Sequence, residues 1–173
     1  MNNTQWIYKT DSNNRNRYIL GHFSENPLLC IGVNPSTATP NNPDQTIKSV
    51  ERIAKINGFD GWIMINLYPQ RATNPNDMDS SMDMAIHAEN LAAIKEVVEK
   101  YSIKTIWAAW GTLIEKRTYL KKCLQDIYSI TTSCTWVSIG KCTKHGHPHH
   151  PLYLSTKSPI NLFNIEQYIK SLS

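Results

Sequence analysis

Leu28-Leu29-Cys30-Ile31-Gly32-Val33 contains no polar side chain, and Asn34-Pro35-Ser36-Thr37-Ala38 follows it at once. A run this short and this apolar reads as a strand buried on both faces of a sheet. Pro35 has no N–H to give a ladder and restricts Asn34 to extended geometry, so the strand ends there. The same punctuation recurs along the chain. Trp62-Ile63-Met64-Ile65 stops at Asn66-Leu67-Tyr68-Pro69, and the run Ile103 to Ala109 stops at Trp110-Gly111-Thr112. Thr135-Trp136-Val137-Ser138-Ile139 gives way to a polar stretch from Gly140 to Pro151.

Helical periodicity fills the intervals. Asp44 is a good N-cap for Gln45–Ile56, where Ile47, Val50, Ile53 and Ala54 form an apolar stripe and Asn57-Gly58 a stop. Met82 to Lys100 reads as a helix burying Ala85, Ala88, Leu91, Ala92, Ile94, Val97 and Val98. Leu113 to Ile127 reads as a third, and Ser158-Pro159 can start a C-terminal one over Ile160 to Leu172. Ahead of all this, Trp6 to Lys9 and Arg17 to Phe23 flank the polar turn Asp11-Ser12-Asn13-Asn14, an edge hairpin. Strands alternating with helices imply a mostly parallel sheet covered on both faces. The expected architecture is an α/β three-layer sandwich with a central four-stranded sheet, helices on both faces and an N-terminal edge hairpin. No internal repeat or linker interrupts it, so residues 1–173 read as a single domain.

No apolar run approaches the roughly 20 residues of a membrane span, and Met1-Asn2-Asn3-Thr4-Gln5 has none of the pattern of a signal peptide. The cysteines, Cys30, Cys123, Cys134 and Cys142, lack C-x-x-C spacing, and Cys30 lies inside the core strand. Reduced thiols and a cytoplasmic protein are the expectation. The formal charge of +4 permits a polyanionic partner without demanding one.

In an open α/β sheet, ligands bind outside the carboxyl ends of the strands. Here those ends carry Asn34, Pro35, Ser36 and Thr37; Asn66 and Tyr68; Trp110 and Gly111; and the histidines between His145 and His150. The bland alternative for Asn34–Thr37 is strand-ending turn chemistry. Paired-carboxylate chemistry needs two acids at the rim, and Asp44, itself a natural helix cap, is the one nearby. Ser36 sits in N-P-S-T, not on a G-x-S-x-G turn. Amides, aromatics and imidazoles suit a heterocycle: Asn pairs with a base edge, Tyr and Trp stack on its face, His donates to an anionic oxygen. The partner is then a nucleobase-containing small molecule or a nucleic acid. Arg71 beside Ala72-Thr73 is either a phosphate ligand or a solvated loop residue, and the same choice applies to Arg15 and Arg17. The four histidines His145, His147, His149 and His150 lack the acid or Cys that completes a spaced metal motif. One histidine in the pocket and the rest solvated is the expectation, with no metal and no cofactor. Two other readings stay open: a binding module without catalysis, and a hydrolase or transferase using Asp44 and a histidine on a phosphorylated substrate held by Arg71.

Two resemblances attach to these residues. Asn34-Pro35-Ser36-Thr37-Ala38, Asp44-Gln45-Thr46-Ile47, Asn66-Leu67-Tyr68-Pro69, Arg71-Ala72-Thr73-Asn74-Pro75, Ala109-Trp110-Gly111 and His150-Pro151-Leu152-Tyr153-Leu154 resemble the family catalogued as domain of unknown function sixteen-forty-three. That resemblance spans about Tyr18 to Leu154 and implies kinship. The same pieces, in the same order, distantly resemble the uracil-DNA glycosylase superfamily. Gly32-Val33-Asn34-Pro35 is similar to its first motif, G-x-[DN]-P, in the Asn variant of mismatch-specific glycosylases. Ile63-Met64-Ile65-Asn66 is similar to the strand whose terminal Asn reads the base, and Ile106 to Gly111 to the third strand and its exit. His150-Pro151-Leu152-Tyr153 is similar to the final H-P-S-x motif. The second resemblance implies a glycosylase-like fold and a metal-free cleavage of an N-glycosidic bond. In it Asn34 would hold water, Asn66 would read the base, and His150 would stabilise the departing oxygen. Tyr68 or Trp110 would wall the pocket, and Asp44, which has no counterpart in that superfamily, could orient water or support the cation.

Overall fold

The computed structural model describes residues 5–172. Its centre is a seven-stranded sheet of order β1-β2-β4-β3-β5-β6-β7. These strands are β1 (Gln5–Thr10), β2 (Arg17–Phe23), β3 (Pro27–Gly32), β4 (Gly61–Asn66), β5 (Thr105–Ala108), β6 (Thr135–Ile139) and β7 (Ile160–Leu162). The run β4-β3-β5-β6 is parallel, and its register aligns Gly32 with Asn66 and Ile31 with Ala108. Every residue of β3 and of β4 is buried, in keeping with apolar sequences that only the terminal Asn66 of β4 breaks.

The expected four-stranded sheet is therefore extended at both edges. The hairpin β1–β2 does not stand apart, because β2 pairs antiparallel with β4 through Leu20, Gly21 and His22. At the other edge, β7 pairs antiparallel with β6. Residues 160–162 had been expected to open the last helix. They extend instead because β6 has a free edge to satisfy, and α4 (Ile165–Ser171) starts later, where the Asn164 side chain accepts from the Gln167 N–H.

Side chains alternate across β3. Leu29 and Ile31 join a core with α2 (Met84–Lys100), α3 (Tyr119–Ser129) and α4, whereas Leu28 and Cys30 join a second core with α1 (Gln45–Ile56). Helices thus cover both faces. Two helices differ from expectation. α3 starts after a separate 3-10 turn, Gly111–Lys116, because Gly111 takes φ +60 and Arg117 is extended, its guanidinium donating to the carbonyls of Asn76, Met78 and Asp79. α2 buries Ile94 and Val97 and packs Leu91 and Val98 against the core as expected, but Ala85, Ala88 and Ala92 face outward, and His87, Asn90 and Ala93 are buried in their place. The inward polar residues are employed there. His87 meets Asp126 at 2.8 Å, and Asn90 donates to the Asn66 carbonyl at 3.0 Å. All four cysteines are free thiols. Among the described residues, no helix is long and apolar enough to cross a membrane.

Candidate functional site

Parallel pairing brings the exits of β3, β4, β5 and β6 to one edge, and a cavity of about 1000 Å³ opens there. From β3 it takes Gly32 to Thr37, from β4 Met64 and Asn66, and from β5 Trp110 and Gly111. The stretch after β6 adds Thr143, His149, His150, Leu152 and Tyr153, and the first turn of α1 adds Asp44 to Ile47. Arg17, Ala72, Thr73, Pro75, Thr112 and Leu113 complete the wall. Asn34, Pro35, Ser36, Thr37, Asp44, Asn66, Trp110, Gly111 and His150 therefore share one hollow, although the sequence separates Asn34 from His150 by more than a hundred positions.

At the floor, Asn66 ends β4 and is only 1 % exposed, yet neither its Oδ1 nor its Nδ2 has a hydrogen-bond partner. Its backbone is fixed: Asn90 donates to its carbonyl, and the next residue's N–H donates to Gly32 O at 2.8 Å. Gly32 is required beside it. A Cβ there would come within 2.7 Å of Met64 Cε and 3.0 Å of Asn66 Oδ1. An amide buried without partners is costly unless something entering the cavity pairs with it.

Asn34 is held in the opposite sense. Its Nδ2 donates to Ala72 O at 2.8 Å and Pro35 O at 3.1 Å, which orients the amide and leaves Oδ1 without a protein donor. Ser36 Oγ lies 2.9 Å from Thr73 Oγ1, tying the two rim loops together. Asp44 accepts from the Ile47 N–H at 2.9 Å through Oδ1, so it is a helix cap and a cavity wall at once. Among the described residues it is the one carboxylate on that wall. His150 Nδ1 accepts from the Leu152 N–H at 3.3 Å, which puts the ring proton of the neutral imidazole on Nε2. Burial lowers the His150 pKa from its ordinary value, with nearby Asp44 pulling the other way. A neutral ring with a donor at Nε2 is the result.

Two expected wall residues stand elsewhere. β4 ends at Asn66, so strand alternation no longer sets the face of Tyr68. Its ring packs against Tyr119 in the opposite core, and its hydroxyl accepts from the Asp83 N–H. Arg71 is spent on the scaffold: it donates to Ser36 O at 2.6 Å, Ala38 O at 3.3 Å, Tyr8 Oη at 2.7 Å and Asn14 Oδ1 at 3.2 Å. Trp110 lines the cavity, but its indole lies among Trp136, Phe163 and Tyr168, and its N–H donates to the Tyr168 hydroxyl. Of the histidines, His149 joins His150 on the wall and His145 is exposed. His147 is buried between Tyr168 Oη at 2.8 Å and Glu115 Oε1 at 3.1 Å.

Sequence reasoning left Arg17 between a phosphate ligand and a solvated hairpin residue, and it passed over Asn90. Arg17 is 2 % exposed and lines the cavity. Its Nη1 donates to Ala38 O at 3.3 Å, and its Nε has no partner. The signal was its place at the start of an otherwise apolar strand, Tyr18-Ile19-Leu20. Asn90 announces itself only by falling in helical phase with Ala93, Ile94 and Val97.

Compared with known proteins, residues 17–152 match the model of a family described as protein of unknown function (DUF1643). The match covers well over half of the chain, and the chain belongs to that family. No curated protein and no solved structure matches it.

Proposed function

We propose that this member of the DUF1643 family recognises a nucleobase in the cavity and hydrolyses the N-glycosidic bond that joins the base to its sugar. The observation that carries the reading is Asn66. A buried amide with both its acceptor and its donor unpartnered matches the adjacent N–H and C=O of a base edge. The order of the strand-end motifs, similar to that of uracil-DNA glycosylases, supports the same reading and a glycosylase-like arrangement of the sheet.

In the reaction, water adds to the anomeric carbon as the bond from that carbon to the base nitrogen breaks. The bonding pair leaves with the base. Asn34 Oδ1, free of protein donors, accepts from the water and aims it. His150, neutral with its proton on Nε2, donates to the oxygen on which the base's negative charge gathers, a kind of contact worth about 3 kcal/mol per donor. The sugar passes through an oxocarbenium-like state, which the Asp44 carboxylate stabilises and from whose adduct it takes the water's proton. A strong base is not needed, in keeping with one carboxylate on the wall.

The test is release of free base. The protein is incubated with nucleosides, nucleotides and oligonucleotides bearing deaminated or modified bases, and free base is separated by chromatography. Release that disappears in Asn34→Ala while binding persists is the expected result. Binding without release in the wild type would favour a non-catalytic module, for which the engagement of Asp44 as a helix cap speaks. Neither binding nor release would overturn the reading.

A further inference from the structure

Arg17 has no use in the scheme above, and its surroundings ask for one. Among the described residues no carboxylate lies within 4.0 Å of its guanidinium, whose one hydrogen bond to the protein is the long one to Ala38 O. A buried cation is ordinarily paired and fully hydrogen-bonded, since taking it out of water is costly. Arg71 donates to the same carbonyl and to Ser36 O, so two positive charges converge on the 36–38 loop. Burial first, and then Arg71, bring the Arg17 pKa down to about 10, against the pull of Asp44 and Tyr8, and it remains a cation at neutral pH. The start of α1, a twelve-residue helix, lines the same cavity as Arg17. Among the described residues, the N–H groups of Gln45 and Thr46 there find no acceptor. Asp44 opposes an anion at this end, but its Oδ1 is turned onto Ile47 N–H, and the sum over Arg17, Arg71 and Asp44 is one positive charge.

We propose that Arg17, the 36–38 loop and the first N–H groups of α1 form a phosphate subsite, and that the substrate is a mononucleotide bound through its terminal phosphate. This inference rests on the reading of Asn66 as the base contact. A terminal phosphate supplies about two negative charges and several acceptor oxygens, which matches an unpaired guanidinium and unpaired N–H groups. The burial of Arg17 selects a monoester over a nucleic-acid backbone. A monoester has one covalent exit and can be enclosed, whereas a diester needs two. A cavity of about 1000 Å³ has room for base, sugar and phosphate together.

Calorimetric titration of the whole chain with nucleoside 5′- and 3′-monophosphates, the parent nucleosides, inorganic phosphate and a short single-stranded oligonucleotide decides the matter. One monophosphate is expected to bind about 10- to 100-fold more tightly than its nucleoside. That advantage is lost in Arg17→Gln and partly kept in Arg17→Lys, with nucleoside affinity unchanged in both. Should Arg17→Gln fail to fold, the wild-type comparison of nucleoside with monophosphate still decides. Equal affinity for the two overturns the phosphate subsite and leaves the base reading intact. Inorganic phosphate binding that depends on Arg17, with no affinity for any nucleoside, keeps the subsite and overturns the base reading. Competition by the oligonucleotide as strong as that of the best monophosphate overturns the mononucleotide assignment.

Discussion

Replacing Asn66 by leucine should make the protein more stable and, in the same step, unable to bind. Leucine branches at Cγ as asparagine does but is the larger side chain, and the cavity that Asn66 lines has room for its methyl groups. The native amide is 1 % exposed with neither polar atom paired. Leaving a buried polar group unsatisfied costs about 1–3 kcal/mol, and leucine removes that cost while adding apolar burial. A net gain of about 2 kcal/mol follows, and for a chain of this length each kcal/mol moves the melting temperature by about 2–4 °C. Thermal and urea unfolding of the ligand-free Asn66→Leu protein should therefore show a rise of roughly 4–8 °C with an unchanged denaturant slope. Base or nucleotide binding should fall below detection in the same preparation. A variant that melts lower than the wild type would mean that the Asn66 amide is already satisfied in the folded protein. A variant that binds as before would mean that the amide does not face the ligand.

Further outcomes follow from neighbouring residues. Gly32→Ala should fold, because the Met64 methyl it strikes at 2.7 Å is the far end of a flexible side chain, but Met64 and Asn66 must shift, and ligand affinity should drop in a direct titration. Asn90→Ala should cost about 1–3 kcal/mol in urea unfolding, since it frees the buried Asn66 carbonyl. His150 is held below its ordinary pKa chiefly by burial, so the unfolded chain takes up that proton first as pH falls. Its contribution to stability is present above about pH 6.5 and is lost on acidification through the folded value. His150→Gln should flatten the stability-versus-pH curve of the wild type below that point. Arg71→Ala should destabilise by about 1–3 kcal/mol, because Ser36 O and Tyr8 Oη lose a charged donor, and a melt would register it.

How much of this was legible from residues alone follows from what each residue depends on. The gathering of Asn34, Asn66, Gly111 and His150 at one edge needed only the period of the elements and the rule that parallel strands exit together. Tyr68 was misplaced because alternation holds only while a strand lasts, and β4 ends two residues earlier. The inner face of α2 was misread because apolar was equated with buried. His87 and Asn90 turn inward for partners on α3 and β4 that no local window contains. Arg71 and Arg17 looked interchangeable as loop or hairpin cations. Which one is consumed by carbonyls, and which is left facing the cavity, depends on contacts made far along the chain. β7 was hidden for a similar reason: three residues pair because β6 offers an open edge, and their composition had no part in it.

The Arg71 guanidinium also reaches across to Tyr8 and Asn14, on the strand and turn that are outermost in the sheet. That makes the far margin of the molecule a brace for the Ser36–Ala38 segment. A protease nick among residues 11–14, or loss of the first strand, would release the brace without touching any residue that meets the ligand. Recognition would then fade before the core gave way, so for this protein a sound melting curve would be no guarantee of a working hollow.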